Sequence, residues 1–109
     1  MQTAAHTLFD WWHHVAAMQD KYGLRHDIET KPEWPEMRRL QDRMLREMHE
    51  QTRVPVPLIF EALQLALPKV MGDLPTRLTH EEAEAVVAET SRTALRRHLL
   101  ALRLRGMRN

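Results

Sequence analysis

THEEAEAVVAETSRTALRRHLLALRLRG, residues 79–106, is the stretch from which the rest of the chain is read. Thr79 stands three residues before Glu82, the spacing of a capping box in which the threonine hydroxyl takes the Glu82 amide and the glutamate reaches back. Gly106 is the residue type that ends many helices in a left-handed turn. No Gly or Pro interrupts the interval, so the spacing predicts one helix of about 26 residues and about 39 Å. A helix that long crosses a domain of this size from end to end. Its second half carries Arg92, Arg96, Arg97, Arg103 and Arg105, with Arg108 just beyond, and no acid.

The segment before this helix, Pro68 to Pro75, reads as a turn-rich connection. Upstream of it, Pro57 opens a helix from Leu58 to about Leu67 in which only Glu61 and Gln64 are polar. Such a helix belongs at the centre of the fold, and Pro68 is expected to end or kink it. Val54-Pro55-Val56-Pro57 separates it from a helix over Glu36 to about Gln51 that starts at Pro35, where a missing amide costs nothing. Met37, Leu40, Met44 and Met48 form the apolar stripe of that helix, read as core packing. Its other face sets opposite charges four apart: Arg38 with Asp42, Asp42 with Arg46, Arg43 with Glu47, Arg46 with Glu50. The first helix runs from about Thr7 to Tyr22, stops at Gly23, and turns Leu8, Trp11, Trp12, Val15 and Met18 inward. Leu24 to Trp34 has no clean period and reads as an ordered loop. Trp34, between two prolines, is either a plug on the domain or an exposed anchor for a partner, and its area favours packing.

The fold class that follows is all-α: a single compact domain over residues 1–109 with about four helices. Helix three is central, helices one and two cover it, and the long C-terminal helix partly projects. The composition agrees, with 43% hydrophobic and 28% charged residues and three Gly in 109. Cys is absent, which excludes disulfides, thiolate metal sites and Cys nucleophiles and leaves the core to carry stability. No apolar run approaches the ~18 residues of a membrane span. The N-terminus Met1-Gln2-Thr3-Ala4-Ala5-His6 lacks the basic and apolar regions of a signal peptide, so a cytoplasmic location with no membrane is the expectation.

Net charge is +1, yet its distribution is uneven. All 15 acids lie in residues 1–91, and residues 92–109 hold six Arg. A basic element of this kind meets a polyanion, meets an acidic protein surface, or docks on its own acidic remainder. Arg exceeds Lys 13 to 3 throughout the chain, which suits a compositional bias as well as phosphate recognition.

Reactive chemistry is sparse. There is no Gly-rich phosphate loop and no G-x-S-x-G elbow, and the one serine, Ser91, falls mid-helix without an adjacent base. Glu81 and Glu82 are explained by the helix start and its dipole. His6, Asp10, His13 and His14 share one side of helix one and are weak candidates for a Zn or Fe site; an exposed polar face explains them better. No enzyme activity, metal or cofactor is therefore expected.

Two surfaces remain. Arg92, Arg96 and Arg103 fall within about forty degrees on the helical wheel and form a stripe that suits a phosphate backbone. Leu100 and Leu104 lie on a different side from Leu95 and Leu102, so the end of the helix has two apolar faces and is sandwiched between neighbours or pairs with another chain. Val-Pro-Leu-Ile-Phe-Glu-Ala-Leu, residues 56–63, resembles a helix opening in the small theta subunits of bacterial DNA polymerase III; the likeness spans eight residues, and no fold, site or partner follows from it. The function expected is that of a non-enzymatic helical binding or regulatory protein, a modulator or inhibitor of a larger partner. Arg92, Arg96, Arg97, Arg103, Arg105, Arg108 and Trp34 would contact an acidic protein, and Leu100 and Leu104 would be the apolar face for a partner or a second copy. The alternative is a nucleic-acid-binding accessory protein that uses the Arg92, Arg96 and Arg103 stripe.

Overall fold

A computed structural model of the chain describes residues 3–23, 27–72 and 77–107. Four α-helices form: α1, Ala4–Tyr22; α2, Trp34–Thr52; α3, Val56–Met71; and α4, His80–Met107. A single 3-10 turn, Ile28–Thr30, lies between α1 and α2. No strand occurs among the described residues.

Helix α1 starts three residues earlier than its apolar period suggests. Thr3 caps it, and His6 occupies the position that Glu or Gln takes in a capping box, its Nδ1 lying 2.8 Å from the Thr3 hydroxyl. Gly23, at φ 86°, ends the helix. Helix α2 begins at Trp34 rather than after Pro35, which places the proline in the first turn, where its missing amide has no intrahelical partner. Arg38–Asp42 and Arg43–Glu47 form as expected, but Arg46 pairs with neither Asp42 nor Glu50; Arg39–Glu36 forms instead.

The turn from α2 to α3 is tight. Arg53 takes the left-handed φ of 62° and donates its amide to the His49 carbonyl at 2.6 Å, while His49 Nδ1 donates to the Val54 carbonyl. The chain thereby bends by 107°, and Val54 is driven fully into the core. Helix α3 then runs through Pro68 to Met71 and ends at Gly72, φ 79°, so the expected stop at Pro68 is not there. Both Pro68 and Gln64, whose carbonyl loses its partner to the proline, are exposed, so water can satisfy the carbonyl and the helix continues. The expected connection Pro68 to Pro75 is thus helical in its first part, and residues 73–76 lie outside the described residues.

The capping box at Thr79 forms in full, with Glu82 N donating to Thr79 Oγ1 at 3.1 Å and Thr79 N to Glu82 Oε1 at 3.2 Å. Gly106 does not end α4, which continues in helical geometry to Met107; the glycine is solvent-exposed and costs the helix only its propensity, about 1 kcal/mol.

One core joins the four helices, from Leu8, Trp11, Trp12 and Met18 through Met37, Met44 and Met48 to Ile59, Leu63, Ala83 and Val86. The methionines of α2 are inside it. α3 packs chiefly along α4 and then on α2, while α1 lies against α2 and α4 and scarcely meets α3. The expected arrangement, with helices one and two covering helix three, is therefore half right. α4 meets all three other helices. Trp34 is half-buried against the core, and α1 and the start of α2 are tied by Tyr22, whose hydroxyl donates to Glu33 Oε1 at 2.8 Å, and by Lys21, 3.5 Å from Glu33 Oε2.

The Tyr22 hydrogen bond, with Lys21 nearby, holds the Glu33 carboxyl below the usual carboxylate range. A group whose pKa falls on folding adds stability above its unfolded pKa and loses it as pH falls through the folded value. The melting-temperature advantage of the wild type over Glu33→Gln should therefore be full at neutral pH and shrink as pH falls below the unfolded glutamate value of about 4.3. Parallel thermal melts of the two proteins across that range measure it.

Candidate interaction surface on the C-terminal helix

Burial along α4 follows the helical period and then stops. Ala83, Val86, Thr90 and Ala94 are buried; from Leu95 to Met107 no residue is. Six apolar side chains stand on the free part: Leu95, Leu99, Leu100, Leu102, Leu104 and Met107, the least exposed at 42% and the last at 75%. Single exposed leucines are ordinary, but a run of them on one helix end is not.

Leu100 and Leu104 do not point into open solvent on every side. With Ala101 and Arg97 they form one wall of a shallow groove, and Leu58 and Glu61 at the start of α3 form the other. Arg97 closes the groove by pairing with Glu61 across the two helices. Both partners are about half exposed, so the pair is worth no more than about 1 kcal/mol and yields readily to a competing carboxylate. Leu95 and Leu102, on the other side of the helix, are exposed as well.

The arginines divide into two groups. Arg92 pairs with Glu89 at 2.7 Å and Arg97 with Glu61, whereas Arg96, Arg103 and Arg105 are exposed and make no ion pair or hydrogen bond with a described residue. Arg108 lies outside the described residues. Trp34 sits in α2 against the core and belongs to no common patch with α4's free end.

The four polar residues of α1 do not gather. His6 serves the Thr3 cap, His13 Nε2 donates to the Leu78 carbonyl at 3.0 Å, and His14 Nδ1 donates to the Asp10 carbonyl at 3.0 Å. Among the described residues no group of three or more His, Asp or Glu is arranged to hold a metal. His13 instead ties α1 to the approach of α4, and Phe9 packs with His13 and His80 in the same place. Ser91 Oγ is buried beside a shallow depression lined by Thr3, Gln51, Glu84 and Val87, and makes no hydrogen bond with a described residue.

Leu58 and Glu61, the α3 side of the groove, are missed when the sequence is read alone. The available signal was Glu61 itself, a solitary acid on an apolar helix. Among the described residues no single helix is long and apolar enough to cross a membrane. Comparison with known proteins returns no match: no family model, no curated protein and no solved structure corresponds to the chain.

Because the free end of α4 adds little to the core, changing it should leave the fold intact. Leu100→Glu with Leu104→Glu should alter unfolding free energy in dilute solution by less than about 0.5 kcal/mol each, whereas Leu63→Ala, in the core, should cost about 2–5 kcal/mol. Urea titrations of the three proteins make the comparison.

Proposed function

We propose that this protein is a non-enzymatic helical binding protein that modulates a larger protein through contact at the free end of α4. The observation that carries the reading is the end of burial at Ala94 while the helix continues to Met107 with its leucines exposed. The partner has the complementary character: apolar ridges that fill the groove beside Leu58, Leu100 and Leu104, and an acid that meets Arg97. Arginine around an apolar centre is the composition of protein–protein interfaces, where the charge sets approach rate and orientation and the apolar centre sets lifetime. An acid from the partner would displace Glu61 from Arg97 at small cost, since the pair is solvent-exposed. The setting proposed is the cytoplasm, in keeping with a chain that holds no Cys to oxidise.

Nucleic acid is the second reading, favoured by Arg96 and Arg103 on one side of α4, both exposed and paired with no described residue. Two things weaken it. Arg92, the third member of the stripe, is turned to Glu89, and the leucines beside the arginines offer a phosphate backbone nothing.

The test is affinity capture from the source organism's lysate after nuclease treatment, run in parallel with wild type and with Leu100→Glu/Leu104→Glu. A stoichiometric protein that is retained by the wild type, lost with the double substitution and weakened by salt is the expected result. Equal capture by both baits, or a wild-type gel shift of unrelated DNA or RNA at low salt, overturns it.

A further inference from the structure

We propose that two copies of this chain associate through α4, antiparallel, along the side of the helix that faces away from the core. This surface is separate from the groove at Leu58, Leu100 and Leu104, and the inference does not rest on it. Ala85, Ala88, Arg92, Leu95, Leu99 and Leu102 follow one another at alternating steps of three and four residues, and every one of them is exposed. That spacing is the seam of a paired helix. It lies about half a turn of the wheel from the buried line of Ala83, Val86, Thr90 and Ala94. α4 thus carries one seam toward its own core and a second toward solvent. The second seam is graded, small at its start with Ala85 and Ala88, large at its end with Leu95, Leu99 and Leu102.

Charge and size together select the occupant and its direction. Glu81, Glu82, Glu84 and Glu89 occupy the first half of α4, while Arg92 near the middle and Arg96, Arg97, Arg103 and Arg105 in the second half follow with no acid among them. Parallel pairing would set arginine beside arginine and leucine against leucine at one end, and leave the alanine end unfilled. Antiparallel pairing, with its midpoint between Thr93 and Ala94, sets Ala88 against Leu99 of the second copy and Ala85 against Leu102 of the second copy, small against large at every layer of the seam's ends. Arg92 meets Leu95 of the second copy near the middle; its guanidinium already turns aside to Glu89, leaving the alkyl stem to cover the leucine. At the edges the same register brings Glu84 to Arg105 of the second copy and Glu89 to Arg96 of the second copy. Arg96 and Arg105 are exposed and make no pair with a described residue of their own chain. No neighbouring like charges are forced together, which would cost the association and misdirect it. The register consumes Leu95, Leu99 and Leu102, sets Arg103 on the same edge as Arg96, seven residues on, and leaves Leu100, Leu104 and Arg97 on the outside.

Sedimentation equilibrium of the full chain should give twice the 12.9 kDa chain mass. Leu95→Glu with Leu99→Glu should return the single-chain mass with unchanged far-UV helicity, while Leu100→Glu with Leu104→Glu should keep the doubled mass. Direction is read by disulfides, because the chain has no Cys of its own. Mixed chains carrying Ala88→Cys and Leu99→Cys should cross-link to each other under mild oxidation. Ala88→Cys alone should not, since the two copies of position 88 would stand about 16 Å apart along the axis, beyond disulfide reach. Glu84→Arg should raise the dissociation constant about tenfold, and Arg105→Glu in the same chain should restore it. A single-chain mass at every concentration up to the solubility limit, a doubled mass that survives Leu95→Glu with Leu99→Glu, or self-linking of Ala88→Cys in preference to linking with Leu99→Cys overturns the proposal. Loss of capture by Leu100→Glu/Leu104→Glu with the mass still doubled would separate this surface from the groove.

Discussion

The core of this protein is shorter than its last helix. α1 and α2 each have 19 residues, about 28 Å of helix, and α3 has 16, so the layer of side chains they can offer α4 is no taller than that. α4 has 28 residues and about 42 Å. The molecule measures 51 × 30 × 29 Å, and the long dimension exceeds the others because helix is left over. Everything that distinguishes the surface follows from where that excess lies.

It lies at the C-terminal end because the other end is pinned. Leu78 is almost fully buried, its carbonyl accepts from His13, and Thr79 and Glu82 close the cap one residue later. Those bonds set which residue of α4 is level with the start of α1, and the helical period then carries Ala83, Val86, Thr90 and Ala94 down the core until the core ends. Beyond Ala94 no leucine is buried, and of the described arginines there only Arg97 keeps an acid, Glu61. A helix that needed only solubility there would carry polar residues; this one keeps leucine at 42–56% exposure beside arginine. Its two apolar sides are the ones proposed above to take different occupants: the groove with α3 an acidic partner, the outward seam a second copy.

The helical class, the Thr79 cap, the methionine stripe and the projecting basic end were all legible in the sequence, because each rests on contacts within one helix or on a periodicity. The readings that failed depend on what surrounds the residue. Of the two outcomes expected at Pro68, an end or a kink, the end is absent, because Gln64 and Pro68 both face solvent, where the orphaned carbonyl can reach water. Gly106 is exposed and stays in helical geometry, and α4 runs on to Met107. Thr3 with His6 gives no recognised start signal, since imidazole replaces the usual carboxylate or amide of the box. Of the surface, the leucines and arginines could be listed, but the split of Arg92 and Arg97 from Arg96, Arg103 and Arg105 needed their partners in space. The loss of α1 from the face of α3 is a matter of packing between distant segments, on which a single sequence's periodicity is silent.

The central claim is that α4 folds as part of the core only as far as the core extends, and that the remainder is a surface. A chain ending at His98, which retains Ala94 and the Arg97–Glu61 pair, tests it most directly. Thermal unfolding in dilute solution, set beside the full chain, is the measurement. The account predicts a single cooperative transition within about 4 °C of the full chain, the shift expected for well under 1 kcal/mol. Loss of the cooperative transition on removing residues 99–109 would mean that this segment holds the fold together, and would contradict the account.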